Sequence, residues 1–209
     1  MSLTSKLLAI VTAAILLVFA VPNFIGAFWM AIGGETVFAL SEGETATPEQ
    51  IEEAIETRHA ALAIAPRAKS SADLALLYLK RGQTAENYQL AIDALEDSLE
   101  MEPLSAYRWL TLSAVLAGFP ERQTEAAEAW RTSRALSVHD SLLWHQRIAV
   151  GIQLYQGLTP ADQAALVEDA EMAYRRNRNG FRHFARQYDL LEWAKFLLND
   201  PEKTAFLSR

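Results

Sequence analysis

The sequence predicts an all-α protein with one apolar N-terminal helix followed by amphipathic helices. Three observations lead to this class. Twenty-eight consecutive residues between Lys6 and Glu35 carry no charge. Beyond this segment, apolar residues recur at intervals of three and four, which is helical spacing, and strand signals are few. The signature of a helix N-terminus, Thr-Pro followed by a residue that can close a capping box, occurs at Thr47 and again at Thr159.

The uncharged segment predicts a transmembrane anchor over residues 1–34. At about 1.5 Å per residue, a helix of this length crosses a hydrocarbon layer about 30 Å thick. A cleavable signal peptide is the alternative, with Lys6 as its positive region and Leu7–Leu17 as its apolar region. The apolar continuation from Phe24 to Ile32 favours the anchor, since a signal peptide does not need it. A buried soluble helix is disfavoured because the segment has no polar face.

The flanking charges predict the orientation of this anchor. Lys6 precedes the apolar segment, whereas Glu35, Glu42 and Glu44 follow it, and the next basic residue is Arg58. By the positive-inside rule the N-terminus is cytoplasmic and the C-terminal body lies outside. In a bacterium this arrangement is a single-pass inner-membrane protein with a periplasmic domain. The absence of Cys is compatible with that oxidising compartment.

After the anchor, the Gly- and Glu-containing segment 35–47 predicts a linker, and the remaining chain predicts eight helices. Thr47 is the expected N-cap of the first, with Pro48 in its first turn and Gln50 reaching back. The expected helices cover residues 48–65, 70–81, 85–101, 104–117, 122–138, 140–156, 160–177 and 181–198.

The predicted helices follow an internal repeat. Leu62, Leu99 and Leu136 are separated by 37 residues each time, and Pro66, Pro103 and Asp140 keep the same step. A fixed period in this range with two helices per unit is typical of an α-solenoid, in which neighbouring helix pairs bury one another's apolar faces. The predicted repeats occupy residues 48–156. The period fades afterwards, so residues 157–209 are expected to form a terminal helical hairpin that caps the repeats.

At these positions the chain resembles the tetratricopeptide repeat family, in a divergent form. Trp109, Leu112 and Ser113 match the family's first-helix positions, and Ala91 and Leu95 match its second-helix positions. The departures are Ser98 and Glu128 in place of alanine, Asp140 in place of the terminal proline, and a repeat longer than the family's usual one.

With its N-terminal span, the chain resembles small bacterial inner-membrane tetratricopeptide proteins of exopolysaccharide and envelope-assembly systems. The stretch from Trp144 to Ile152 contributes to this likeness. The resemblance implies a membrane-anchored scaffold for protein–protein interaction in envelope assembly or in polysaccharide biosynthesis and export. A structural subunit of a multi-span membrane complex is an alternative.

A concave repeat surface would hold the protein partner at the membrane, because solenoids present extended grooves. The first-helix positions expected to face this groove are Tyr78, Arg108, Ser113, Arg147 and Tyr155. Nucleic acid is not expected as a partner, since the chain carries a net charge of −7.

A second candidate surface is basic. From residue 171 to the C-terminus there are eight Lys or Arg against five Asp or Glu. Guanidinium groups suit carboxylate, sulfate and phosphate groups, so this segment predicts an accessory site for an acidic polysaccharide or an anionic lipid. A solvated helix face whose arginines pair with nearby acids explains the same pattern. The candidate anion-binding residues are Arg175, Arg176, Arg178, Arg182 and Arg186.

The sequence contains no pattern that indicates catalysis. The four histidines are scattered without the spacing of a metal site, and there is no Cys nucleophile, phosphate-binding Gly-rich loop or Gly-x-Ser-x-Gly turn. We therefore expect neither an enzyme nor a bound cofactor or metal.

Overall fold

The computed structural model describes residues 3–209, without the side chains of residue 3 and of residues 6–9. Within this range every regular element is helical, which confirms the all-α class. The chain divides into two compact units between Pro103 and Leu104. Unit 1 contains α1 (Leu3–Ala31), α2 (Gly34–Ser41), α3 (Pro48–Ile64), α4 (Ala68–Arg81) and α5 (Ala85–Met101). Unit 2 contains α6 (Ala106–Leu116), α7 (Gln123–Leu136), α8 (Trp144–Gln153), α9 (Pro160–Arg176), α10 (Arg178–Gln187), α11 (Leu191–Leu198) and α12 (Pro201–Ser208), with short 3-10 helices at Pro120–Arg122 and Tyr155–Gly157.

The apolar helix α1 contains one segment, Ile10–Ala31, that is long and apolar enough to cross a membrane. The chain then turns at Gly33, whose φ of +69° suits glycine. A new helix, α2, follows immediately. The predicted linker 35–47 is therefore helical over most of its length. Its side chains Val37 and Leu40 are buried, which explains why this acidic segment is ordered against its neighbours α3 and α4.

Helices α3, α4 and α5 form successive packed pairs in unit 1. The predicted capping box is present at the start of α3, where the Thr47 hydroxyl accepts from the Gln50 amide and the Gln50 side chain accepts from the Thr47 amide. Near the end of α5, the buried Ser98 hydroxyl donates to the Ala68 carbonyl of α4 at 2.6 Å. Helix α3 also packs against α1 and α2.

In unit 2, α6 pairs with α7 and α8 with α9. Gly151 brings α8 close to α9, since a Cβ at this position would lie 2.7 Å from Leu166 Cδ1. The single helix predicted over 181–198 is instead the two helices α10 and α11. Asp189 separates them with a φ of +54°, a left-handed conformation that Asp tolerates better than most residues. Helix α12 was not predicted, although Asp200 caps it by accepting from the Lys203 amide.

Candidate functional site

Three of the five predicted groove residues are buried in contacts between helices, and Tyr78 and Ser113 are the first two. The Tyr78 side chain lies in unit 1, where its hydroxyl and the His59 ring nitrogen Nε2 form a hydrogen bond of 2.8 Å. Burial raises the pKa of Tyr78. Ser113 is fully buried in unit 2 and donates to the Ala126 carbonyl at 2.7 Å, which joins α6 to α7. Both side chains therefore hold helices together and leave no surface for a partner.

Arg147 is also buried, at the centre of a charge network in unit 2. Its guanidinium lies 3.5 Å from Asp169, which in turn lies 3.2 Å from Arg134. Arg147 also donates to the Ser137 carbonyl at 2.9 Å. Burial raises the pKa of Asp169 and lowers that of Arg147, in opposition to the attraction between the two charges. Arg147 thus connects α8 to α9 and to the end of α7, and a partner cannot reach it.

The other two predicted groove residues remain at the surface. Arg108 lies in the first turn of α6 and is half-buried. Tyr155 lines a shallow cavity of about 340 Å³ together with Gln156, Glu192, Trp193 and Phe196.

Three aromatic rings form one wall of this cavity, and we call them the aromatic cluster: Tyr155, Trp193 and Phe196. Their ring centroids are 5.0 Å apart for Tyr155–Trp193, and 5.6 Å apart for the two pairs that include Phe196. Phe196 is 56% exposed. Trp193 and Phe196 belong to the single helix predicted over 181–198. The break at Asp189 divides that helix, and the Phe196 ring lies at the surface of α11.

A second cavity, of about 440 Å³, lies between α8 and α10. His145 lines this cavity and stacks on Phe184, with ring centroids 4.5 Å apart and planes 10° from parallel. Burial lowers the pKa of His145, so its ring is held as the neutral form over a wider pH range. The cavity is also lined by the side chains of Gln146, Gln187 and Tyr188, which can donate and accept hydrogen bonds.

The predicted anion-binding arginines divide into two groups. Arg182 donates to the Phe206 carbonyl at 3.5 Å, and Arg186 donates to the Leu207 carbonyl at 3.2 Å. These bonds satisfy carbonyl groups near the end of α12, where positive charge is also favourable. Because α12 was not predicted, the sequence could not indicate this role. In the second group, Arg175 forms an ion pair with Glu171 at 3.4 Å. The Arg178 guanidinium carbon lies 4.9 Å from the centroid of the Phe206 ring, and Arg176 is exposed.

Polar contacts attach the last third of α1 to α3 and to the start of α4, some of them buried and others exposed. The Arg58 guanidinium donates to the Ile32 carbonyl at 3.0 Å and pairs with Asp73 at 2.9 Å. Nearer the N-terminus of α1, Asn23 accepts two hydrogen bonds from Arg67, one on its backbone carbonyl at 3.2 Å and one on its side-chain oxygen at 2.9 Å. The apolar helix is therefore an integral part of unit 1. No local pattern indicated these two contacts, because the arginines and their partners are 26 and 44 residues apart.

Comparison with known proteins adds no family assignment: the chain matches no protein-family model and no curated protein.

Proposed function

We propose that this protein is a membrane-anchored helical scaffold that holds a protein partner at the surface of a bacterial inner membrane. The exposed apolar surface of α1 carries this proposal. Eight of its large apolar side chains are more than half exposed, which is far more contiguous apolar surface than a water-soluble protein normally presents. A lipid environment would cover this surface. The eight residues are Ile10, Ile15, Leu16, Leu17, Val18, Phe19, Phe24 and Phe28.

We further propose that the helices after α2 are divergent tetratricopeptide-like repeats. Support comes from local features that recur near the 37-residue period. Thr47, Thr84 and Thr159 each accept a hydrogen bond from the backbone amide three residues later, at the starts of α3, α5 and α9. Buried Ser98 and Ser113 sit at close helix crossings, where the family has small residues.

The aromatic cluster is the proposed contact for the protein partner. Tyr and Trp are enriched among the residues that dominate the binding energy of protein interfaces, and exposed apolar cavities commonly hold a partner's side chain. Anchoring in the same membrane would raise the effective concentration of such a partner. In this proposal the flanking charges place the cluster on the periplasmic side, where an envelope-assembly or polysaccharide-export complex would be its setting.

The proposal is tested with the full-length chain in native membranes. A photo-crosslinking amino acid is placed at Gln156, which lines the cavity, and at Glu128 of α7 as a control of similar exposure. We expect the Gln156 probe to capture one major protein that the Glu128 probe does not. Phe196→Ser should abolish this capture without unfolding the chain, because Phe196 is largely exposed.

Membrane attachment is tested separately by alkaline carbonate extraction. We expect the full-length chain to stay in the membrane pellet. Release into the supernatant would contradict the anchor, whereas equal capture at Gln156 and Glu128 would contradict the partner surface.

The alternative function of binding an acidic glycan or an anionic lipid through Arg175–Arg186 is not proposed. Arg182 and Arg186 have partners at the end of α12, and Arg175 and Arg178 also have contacts within unit 2. No observation in the described residues favours an anion at this position.

A further inference from the structure

The contacts of α1 with α3 and with the start of α4 indicate where the membrane surface lies. Helix α1 runs antiparallel to α3, because Gly26 lies against Ala65 whereas Gly33 lies against Ala54. A Cβ on Gly26 would be 2.8 Å from the Ala65 Cβ, so the two backbones approach closely. The last third of α1 is therefore covered on one side by polypeptide, in contrast to the part before it.

Polar groups accompany this covered part of α1. At its beginning, Arg67 donates to Asn23, and one residue from its end the Ser70 hydroxyl donates to the Met30 sulfur at 2.8 Å. Lys69 lies between these two contacts in the sequence, and its side chain is 67% exposed.

These positions conflict with a hydrocarbon layer that ends at Ala31. Asn23 and Ala31 are eight residues apart, which is about 12 Å along a helix. If the layer ended at Ala31, the Arg67 guanidinium would lie about 12 Å below its surface, and a charged group at such depth is costly. The stretch Leu3–Pro22 contains 20 residues and spans about 30 Å, which matches the layer without burying Arg67. Lys6 lies one turn from the start of this stretch, where a lysine side chain can extend to the opposite headgroups.

We propose that the membrane surface lies at the level of Asn23 and Arg67, and that the loop between α3 and α4 contacts the lipid headgroups. This inference rests on the proposed membrane anchor. It assigns α1 two parts: residues 3–22 lie in lipid, and residues 23–31 form a stem that emerges from the membrane packed on α3.

The chemistry of the loop and of the helix ends beside it, residues 63–69, suits a headgroup layer. Ala63, Ile64 and Pro66 are exposed and apolar, and Arg67 and Lys69 supply positive charge for lipid phosphates. Helix α5 ends on the same side of unit 1, because Ser98 near its end contacts Ala68 at the start of α4.

The opposite end of α3 has the opposite charge. Its first turns carry Glu49, Glu52 and Glu53, about 25 Å away along the 17 residues of the helix. The stem also has a fitting surface, since Phe24 and Phe28 are 75% and 55% exposed and aromatic side chains favour the membrane–water interface.

Three alanines make the test direct. Ala13, Ala20 and Ala27 are exposed, lie seven residues apart on nearly the same face of α1, and can be replaced singly by Cys, because the chain has no native Cys. Each variant of the full chain is spin-labelled and reconstituted into vesicles of phosphatidylcholine and phosphatidylglycerol. Collision with oxygen and with a water-soluble nickel complex then reports the depth of the label.

We expect A13C to be deepest, A20C shallower but within lipid, and A27C open to the nickel complex. A layer that ends at Ala31 gives a different order, with A20C deepest and A13C and A27C equally shallow. That order would overturn the proposed membrane level. If all three labels are open to the nickel complex, the anchor itself is wrong, which is a separate outcome.

The loop contact is measured in the same vesicles with A63C, and with T45C as the control at the far end of α3. We expect the A63C label to be less accessible to the nickel complex than the T45C label. The double substitution of Arg67 and Lys69 by Gln should reduce this difference. Equal accessibility of the two labels would overturn the headgroup contact.

Discussion

Arg58→Met is the substitution that most directly tests how the apolar helix is held in unit 1. The Arg58 side chain is only 2% exposed, and that of its partner Asp73 is 8% exposed. The same guanidinium satisfies the Ile32 carbonyl beyond the end of α1. Methionine retains much of the unbranched stem but removes both polar contacts. Asp73 then keeps one cationic partner, the exposed Lys69. The Lys69 ammonium lies 3.0 Å from the other carboxylate oxygen of Asp73.

The expected loss of stability follows from the burial of the ion pair. Removing one partner of a buried ion pair costs about 3–5 kcal/mol, because the remaining charge is left without compensation. Since Lys69 still contacts Asp73, we expect the lower end of this range. A loss of about 3 kcal/mol corresponds to an increase of about 150-fold in the population of the open state.

Amide hydrogen exchange of the full chain in detergent micelles measures this population for each unit. The most protected amides of α3 and α4 should exchange about 150-fold faster in Arg58→Met, and those of unit 2 should not change. Lys69→Gln is the matched control, since it removes the exposed cation from the same carboxylate and should cost under about 1 kcal/mol. Adding Asp73→Leu to Arg58→Met should restore most of the protection, because the buried charge is then gone. If Arg58→Met changes exchange no more than Lys69→Gln does, the buried pair does not hold unit 1 together and the reasoning is refuted.

Three further predictions concern unit 2, which contains four of the five Trp residues and is therefore followed by tryptophan fluorescence during urea unfolding. Gly151→Ala should lower the free energy of unfolding by about 1–3 kcal/mol, because its Cβ would overlap Leu166, whereas Gly157→Ala meets no atom within 4 Å and should be nearly neutral. Thr159→Ala removes the hydroxyl that accepts from the Asp162 amide in the capping box of α9 and should cost about 1 kcal/mol, and an unchanged midpoint would argue against the cap. His145 has a pKa lowered by burial, so the unfolded chain binds its proton more tightly than the folded one. Stability should therefore fall as the pH drops below about 6.5, and His145→Phe should lose that part of the pH dependence.

Local chemistry made much of the helix pattern predictable. The Thr47 and Thr159 capping boxes need only residues three positions apart, and both are present where the sequence placed them. Such signals act within one turn, so they were readable without knowing what the helix packs against. The helix α2 lacks a side-chain cap hydrogen bond at its start, and its acidic composition indicated a linker.

The candidate site was less predictable, because exposure depends on how each helix is rotated. Arg147 was expected in a groove, but Asp169 and Arg134 on neighbouring helices draw it into the interior. Phe196 lies in the single helix predicted over 181–198, but the left-handed conformation of Asp189 divides that helix and leaves this ring at the surface.

By itself, the sequence determined the helical class, the apolar nature of α1 and the starts of several helices. These properties depend on composition and on residues within one or two turns of each other. Only the tertiary structure decided which side chains face solvent, and that the last third of α1 packs on α3. The contacts responsible, from Arg58 to Ile32 and from Arg67 to Asn23, join residues 26 and 44 positions apart. No local pattern encodes such pairs, since they form only when burial of apolar surface brings the helices together.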